Sequence, residues 1–201
     1  MNDPESHDRG MLVFFSGPSG AGKTSITRAI LERLPDAEFS VSATTRPQTS
    51  ADTDGVDYHF LTDEQFDQHV RNDDFLEHAA YAGNRYGTLR SQINDALTQG
   101  RRIILDIDIQ GAQQIRAAMP ESFGIFILPP SDDALLQRLR ARKREPEDVI
   151  QRRFAEAQRE MRDARDGTTF NVFITNEDLD SAIDQTLDAI TAELSRRAAT
   201  T

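Results

Sequence analysis

The chain has no cysteine and no tryptophan, only two lysines among its 23 basic residues, and three tyrosines. Without cysteine there is no disulfide, no thiolate nucleophile and no cysteine-ligated metal. The four histidines, His7, His59, His69 and His78, show no ligand spacing, so no structural metal is expected. No apolar run approaches the roughly 18 residues that a membrane span requires. The opening MNDPESHDRG is polar and acidic where a signal peptide is basic and then apolar, so a soluble, cytoplasmic protein is the expectation. Net positive charge is lacking too. The 34 acids outnumber the bases to leave a net charge of -11, and long nucleic acids need a basic footprint that such a chain lacks. Small phosphorylated ligands stay compatible where positive charge is concentrated locally. A length of 201 residues fits one domain, or a core with one inserted subdomain, and leaves monomer and homo-oligomer both open.

What is present is a rhythm. MLVFFS (11–16), RRIILDIDI (101–109), SFGIFILPP (122–130) and TTFNVFIT (168–175) are short continuous apolar runs, the pattern of strands buried on both faces. Helical stretches separate them: one over about 22–33, GAQQIRAAMP between the second and third runs, and a last helix with apolar Leu179, Ile183, Leu187 and Ile190. Strands alternating with helices predict an α/β fold, a parallel sheet covered by helices on both sides. Residues 1–10 read as a disordered tail, and residues 11–201 as one folded domain with core segments 11–39, 91–130 and 166–201. Residues 40–90 break the rhythm with shorter, polar strands near 57–61 and 75–82 and a helix opening at Thr62, whose Gln65 completes a capping-box pattern. Residues 131–165 read as a charged helical lid with a break at REPED, where Pro146 suits a helix first turn.

Gly17-Pro18-Ser19-Gly20-Ala21-Gly22-Lys23-Thr24 satisfies G-x-x-x-x-G-K-[ST], after a buried strand and opening a helix, as the motif's chemistry requires. Glycines let backbone amides turn toward phosphate oxygens, and the helix start adds partial positive charge. The lysine reaches the terminal phosphates, while the Thr24 hydroxyl suits Mg2+. By composition alone the pattern arises in roughly one in a hundred chains of this length, and here one of only two lysines fills it. The loop predicts a nucleoside triphosphate and leaves the acceptor open.

Four segments narrow the acceptor. GPSGAGKTS, SVSATTR followed by DTDGVDYHF, FLEHAAYAGNRYGT and ILDIDIQGAQQIR, with FITNEDLDSA near the end, resemble the guanylate kinases from Met11 to about Ile190. The resemblance implies a P-loop nucleoside monophosphate kinase fold that moves a phosphoryl group from ATP to GMP with Mg2+. It implies residues 40–90 as the GMP-binding region and 131–165 as the lid. It places Ser42, Glu77, Thr88 and Asp106 around guanine and Arg46, Tyr58 and Tyr86 on the GMP phosphate. ATP falls to the loop with Ser25, Arg138, Arg142 and Asn176, and the metal to Thr24 and Asp106. The catalytic charges are then Lys23, Arg46, Arg142 and Arg153. Guanine's adjacent N1 and N2 donors suit a carboxylate such as Glu77, which adenine would leave unpaired. The stretch 136–153 carries seven basic residues and three acids, and Arg138 and Arg142 share a helix face. Asp108, by strand alternation, is expected to point the same way as Asp106.

The sequence departs from this family at Thr49, where a second phosphate-binding basic residue is usual, and at Lys143, where glycine is common. An uncompensated missing charge-assisted bond weakens binding about tenfold or more, and Arg85, beside Tyr86, is the expected substitute. Two other readings stay open. One is a non-catalytic guanylate-kinase-like binding module; the other is a related kinase of a phosphorylated sugar.

Overall fold

A computed structural model describes residues 10–81, 83–141 and 146–199. Nearly all of the predicted tail therefore lies outside the described residues, although Gly10 already donates its N–H to Leu97 O. The sequence run MLVFFS forms β1 (Met11–Ser16), all six residues of which are buried. Burial on both faces follows from where β1 sits. It pairs in parallel with β7 (Arg102–Asp106) on one side and β8 (Phe123–Leu128) on the other. With β2 (Ala37–Phe39) beyond β7 and β9 (Val172–Thr175) beyond β8, the sheet runs β2-β7-β1-β8-β9, parallel throughout.

Alternation along β1 divides the core into two layers. Met11, Val13 and Phe15 pack with Ile26 and Ile30 of α1 (Lys23–Arg33) and with Ile183 and Ile190 of α7 (Leu179–Ala198). Leu12 and Phe14 pack on the opposite face. Their partners come from α3 (Arg90–Thr98), α4 (Ile109–Ala118), α5 (Asp132–Ala141) and α6 (Glu147–Asp166). This is the predicted helix-covered parallel sheet.

A second sheet is built from residues 43–89, in the order β4-β3-β6-β5. Its strands are β3 (Ala43–Thr44), β4 (His59–Phe60), β5 (Phe75–Tyr81) and β6 (Asn84–Leu89), with β3 and β4 parallel and the rest antiparallel. It closes over its own small core of Ala43, Phe66 and Phe75, Phe66 being supplied by α2 (Asp63–Arg71). Gln114 of α4 fastens this sheet to the main body, accepting the His78 N–H and donating to the His78 carbonyl, both at 3.1 Å.

The structure corrects several boundaries. The second apolar run stops being strand at Asp106, because Asp108 turns its carboxylate onto Gly111 N and caps α4. The fourth run begins only at Val172. Its first residues instead serve Arg116, which donates to Thr169 O and to Asn171 Oδ1. Pro146 precedes the first turn of α6 as its N-cap residue. Leu179 is 42% exposed and belongs to no core layer, unlike Ile183 and Ile190. Among the described residues no helix is long and apolar enough to cross a membrane.

The capping box forms as read: Gln65 N–H donates to Thr62 Oγ1 at 3.2 Å and Thr62 N–H to Gln65 Oε1 at 2.8 Å. Thr62→Ala is expected to lower stability by about 1 kcal/mol, measured as a lower urea midpoint at unchanged slope. An unchanged midpoint would show that this cap contributes nothing.

Candidate functional site

The loop after β1 is shaped by two glycines that nothing else could replace without rearrangement. Gly17 has φ +147, and a Cβ there would stand 2.4 Å from Ile127 O. Gly22 has φ +95, and a Cβ there would stand 2.2 Å from Asn176 Nδ2. The crowding reflects a support under the loop. Asn176, only 5% exposed, donates its side-chain amide to Ala21 O at 2.7 Å and its backbone N–H to Leu128 O at 2.8 Å. The end of β9 therefore holds the loop at the height where α1 begins.

Lys23 and Thr24 open α1 and turn toward the end of β7. Lys23 Nζ donates to Gly17 O at 2.9 Å and lies 3.6 Å from Asp106 Oδ1, while Thr24 Oγ1 donates to Asp106 Oδ2 at 3.4 Å. Hydroxyl and carboxylate oxygens side by side are hard donors, the kind that hold a small divalent cation together with phosphate oxygens and water. Among the described residues no group of three or more acids and histidines is placed to hold a metal ion.

Two arginines of α5 and α6 contact the loop and the residue that supports it. Arg153 of α6 donates to Ser19 Oγ at 2.6 Å, and Arg138 of α5 donates to the Asn176 carbonyl at 2.9 Å. Arg142 and Lys143 lie outside the described residues. Together the loop, the end of β7 and α6 enclose a cleft of ≈ 670 Å³, into which Glu156 and Glu160 also face. Burial, then the neighbouring Glu156, pushes the Glu160 carboxyl up to about 7, against the opposing pull of Lys23.

The second sheet presents the other candidates by cross-strand pairing. Thr44 pairs with Tyr86, Ala79 with Tyr86, and Glu77 with Thr88. Paired residues share a face, and so do residues two apart. Thr44, Tyr86, Thr88 and Glu77 therefore stand on one side of the sheet, and Ser42 immediately precedes β3. Thr88, fully buried, donates to Glu77 Oε1 at 2.7 Å, and Glu77 is itself 7% exposed. Burial raises the Glu77 pKa, the Thr88 hydrogen bond opposes that, and Asp108 adds to the rise. Glu77 also meets the start of α4, where a Cβ at Gly111 would lie 2.9 Å from its Oε2. That start is capped by Asp108, which lines the cleft beside Asp106. Asp108 thus lines the cleft as a helix cap beyond the strand and not through strand alternation, since Ile107 lines the cleft as well.

Arg46 sits at the open end of the same face, its guanidinium 5.1 Å from the ring centre of Tyr58, which in turn lies 5.9 Å from Tyr86. Its two Nη atoms each donate to Asp52, at 2.9 and 3.1 Å. Arg85 is displaced from the role expected of it. One residue from Tyr86, it points to the opposite face, paired with Asp67 at 2.7 Å and stacked 4.2 Å over Phe66. Reading along the sequence missed Asp52 as a partner of Arg46, and the Gln114 clamp. Asp108 and Gly111 carried a legible signal, an acid three residues before a helix amide.

The comparisons agree in one direction. A family model described as Guanylate kinase matches residues 9–193. A guanylate kinase of Chlorobium luteolum is 42% identical over 192 residues, covering 95% of this chain and 96% of its own length. One of Syntrophotalea carbinolica is 45% identical over 184 residues, covering 92% of this chain and 86% of its own. Among solved structures, a guanylate kinase from Anaplasma phagocytophilum matches with a TM-score of 0.69 at 29% identity, covering 93% of this chain and 87% of that one.

Glu160 gives a pH test of the cleft. With its pKa raised from 4.5 to about 7, the native state keeps a proton that the unfolded chain has lost, so its contribution to stability falls as pH rises across that window. Glu160→Gln should therefore match wild type in thermal unfolding at pH 4.5 and be more stable at pH 8, both without nucleotide. A less stable variant at pH 8 would mean that Glu160 is held favourably ionised by Lys23.

Proposed function

The chain belongs to the guanylate kinase family, and from that premise we propose which of its residues carry each part of the reaction. The enzyme transfers the γ-phosphoryl group of ATP to GMP, giving ADP and GDP. The observation that carries the assignment is the meeting of two surfaces at the start of α4. The buried Glu77–Thr88 pair abuts Gly111, and Asp108, which caps the same turn, lines the cleft of the phosphate loop.

In this reading residues 40–90 bind GMP, residues 131–165 form the lid, and the remaining segments form the core. Glu77 accepts from guanine N1–H and N2–H2, Ser42 and Thr88 complete the polar lining, and Asp106 bridges the two nucleotides. Accepting two donors favours the ionised carboxylate, so guanine binding offsets the desolvation that raises the Glu77 pKa. Arg46, Tyr58 and Tyr86 take the GMP phosphate. Residues 17–25 take the phosphates of ATP, with Lys23 on the terminal ones and Asn176 supporting the loop from beneath.

An oxygen of the GMP phosphate forms a bond to the γ-phosphorus while the bond to the β,γ-bridging oxygen breaks, and ADP leaves with that electron pair. The attacking oxygen is already anionic, so no general base is required. What the protein contributes is alignment and positive charge around the transferred group. Lys23, Arg138, Arg142 and Arg153 supply that charge, the last three from the lid. The family's reaction uses a divalent metal; here Mg2+ would be held by Thr24 and Asp106, neutralising the β- and γ-phosphate oxygens.

Two assays test the reading. ADP formation from ATP should depend on GMP or dGMP and be absent with ribose 5-phosphate; turnover of the sugar phosphate without turnover of GMP would overturn it. ATP-dependent turnover absent with every acceptor would leave a binding module. In Glu77→Gln, one acceptor becomes a donor facing guanine, and kcat/KM for GMP should fall by about ten- to a hundredfold. An unchanged value would remove Glu77 from the guanine site.

A further inference from the structure

Thr49 and Asp52 belong to one hydrogen-bonded unit with Arg46. Asp52 Oδ1 accepts from Arg46 Nη2 at 2.9 Å, and Oδ2 accepts from Arg46 Nη1 at 3.1 Å. Thr49 donates twice to that Oδ2, from its N–H and from its hydroxyl, both at 2.7 Å. The carboxylate thus receives four donors at the rim of the acceptor face. Arg46, then Thr49, holds its pKa well below the ordinary carboxylate range, so it stays ionised throughout the pH range of any enzyme assay. Behind the guanidinium stand the rings of Tyr58 and Phe60, at 5.1 and 5.4 Å.

A guanidinium has five N–H donors, arranged as an end fork on the two Nη atoms and a lateral fork on Nε and one Nη. Asp52 occupies the end fork. The Pro47 carbonyl accepts a further, longer bond from Nη1 at 3.3 Å. Among the described residues nothing accepts from Nε, so the lateral fork stays available while the side chain is fixed by its other end.

We infer that Asp52, itself clamped by Thr49, is a positioning residue that locks Arg46 so that its lateral Nε/Nη2 fork is set for the phosphate of the acceptor nucleotide. The inference rests on the reading of this face as the GMP site. It gives Thr49 a role: the position does not add a second cation but fixes the orientation of the one present. The opposing effect is repulsion between Asp52 and the incoming dianion. That repulsion is offset by the Arg46 guanidinium, whose positive charge stands between the two anions. Positioning acts directly on the fork that forms the bonds, where both geometry and lost rotamer freedom count. The Asp52→Asn variant separates the two effects.

The test is calorimetric binding of GMP and of guanosine to wild type, Asp52→Asn, Asp52→Glu and Thr49→Val, with thermal unfolding of each to confirm folding. Asp52→Asn should lose about tenfold in GMP affinity while guanosine affinity stays within about twofold, since only GMP uses the fork. Asp52→Glu, which keeps the carboxylate, should bind GMP better than Asp52→Asn. Thr49→Val, which removes one of four donors, should show a smaller loss confined to GMP. Unchanged or tighter GMP binding by Asp52→Asn, with the gain largest at low salt, would make Asp52 a bystander or a competitor and overturn the inference while leaving the GMP site standing. Equal loss for GMP and guanosine would make its role structural. Wild type binding GMP no better than guanosine would remove the reading of the site, and the inference with it.

Discussion

The parallel register of the main sheet decides where every charged group of the cleft ends up. Phe15 of β1 lies beside Asp106 of β7, Ser16 beside Phe126 of β8, and Leu128 beside Thr175 of β9. All four strands consequently finish at one edge, the edge where open parallel sheets bind ligands. The loop that leaves β1 meets the carboxylate that ends β7 and the amide that follows β9. Lys23, Asp106 and Asn176, far apart in sequence, become neighbours without any of them being long enough to search for the others. A one-residue slip between β1 and β7 would bury Asp106 in a core layer and leave Lys23 with only the Gly17 carbonyl. Two apolar faces do not by themselves oppose that slip; the different helix layer packed on each face of β1 does.

Charge is handled sparingly in a chain of net -11. The described cations at the candidate site are each held by a neighbour in advance: Lys23 by Gly17 O and Asp106, Arg46 by Asp52, Arg153 by Ser19, Arg138 by the Asn176 carbonyl. Pre-paired cations attract a phosphate less strongly at long range than bare ones, but they do not have to be ordered when it arrives. The carboxylates divide by environment. Asp52 sits among four donors and is held ionised, whereas Glu77 and Glu160 are desolvated and pushed upward. A buried acid beside a hydroxyl donor is poised for a ligand that brings two donors of its own, as guanine does.

Much of the core was legible because its physics is local. Four apolar runs, a helix period and a glycine loop announced the parallel sheet and its phosphate-binding edge. The capping box at Thr62 and Gln65 could be read from two letters and was realised. Legibility failed where a partner across the fold decides the outcome. Arg116 takes Thr169 and Asn171 out of the fourth strand, and no pattern inside TTFNVFIT announces that. The polar strand NRYGTL has no apolar alternation, so pairing with β3 and β5 defines it. Arg85 shows the most instructive failure. Adjacent to Tyr86 in sequence, it is on the other side of the sheet, because successive strand residues alternate. The pairing of Asp52 with Arg46 is short-range, but it depends on the turn formed by residues 49–52, whose shape polar turn residues do not specify by themselves.

The central claim is that guanine and the two phosphate groups meet at the edge where β7 ends and α4 begins, with Arg46 held from behind by Asp52. The most direct measurement is a crystal structure of the enzyme with Mg2+, a non-hydrolysable ATP analogue and GMP. The account predicts guanine against Glu77 and Thr88, the GMP phosphate on the Nε/Nη2 side of Arg46 with Asp52 still on its end fork, and the analogue's terminal phosphates on Lys23. A GMP phosphate bound to Arg85, or an Arg46 that has left Asp52 to reach the phosphate end-on, would contradict it.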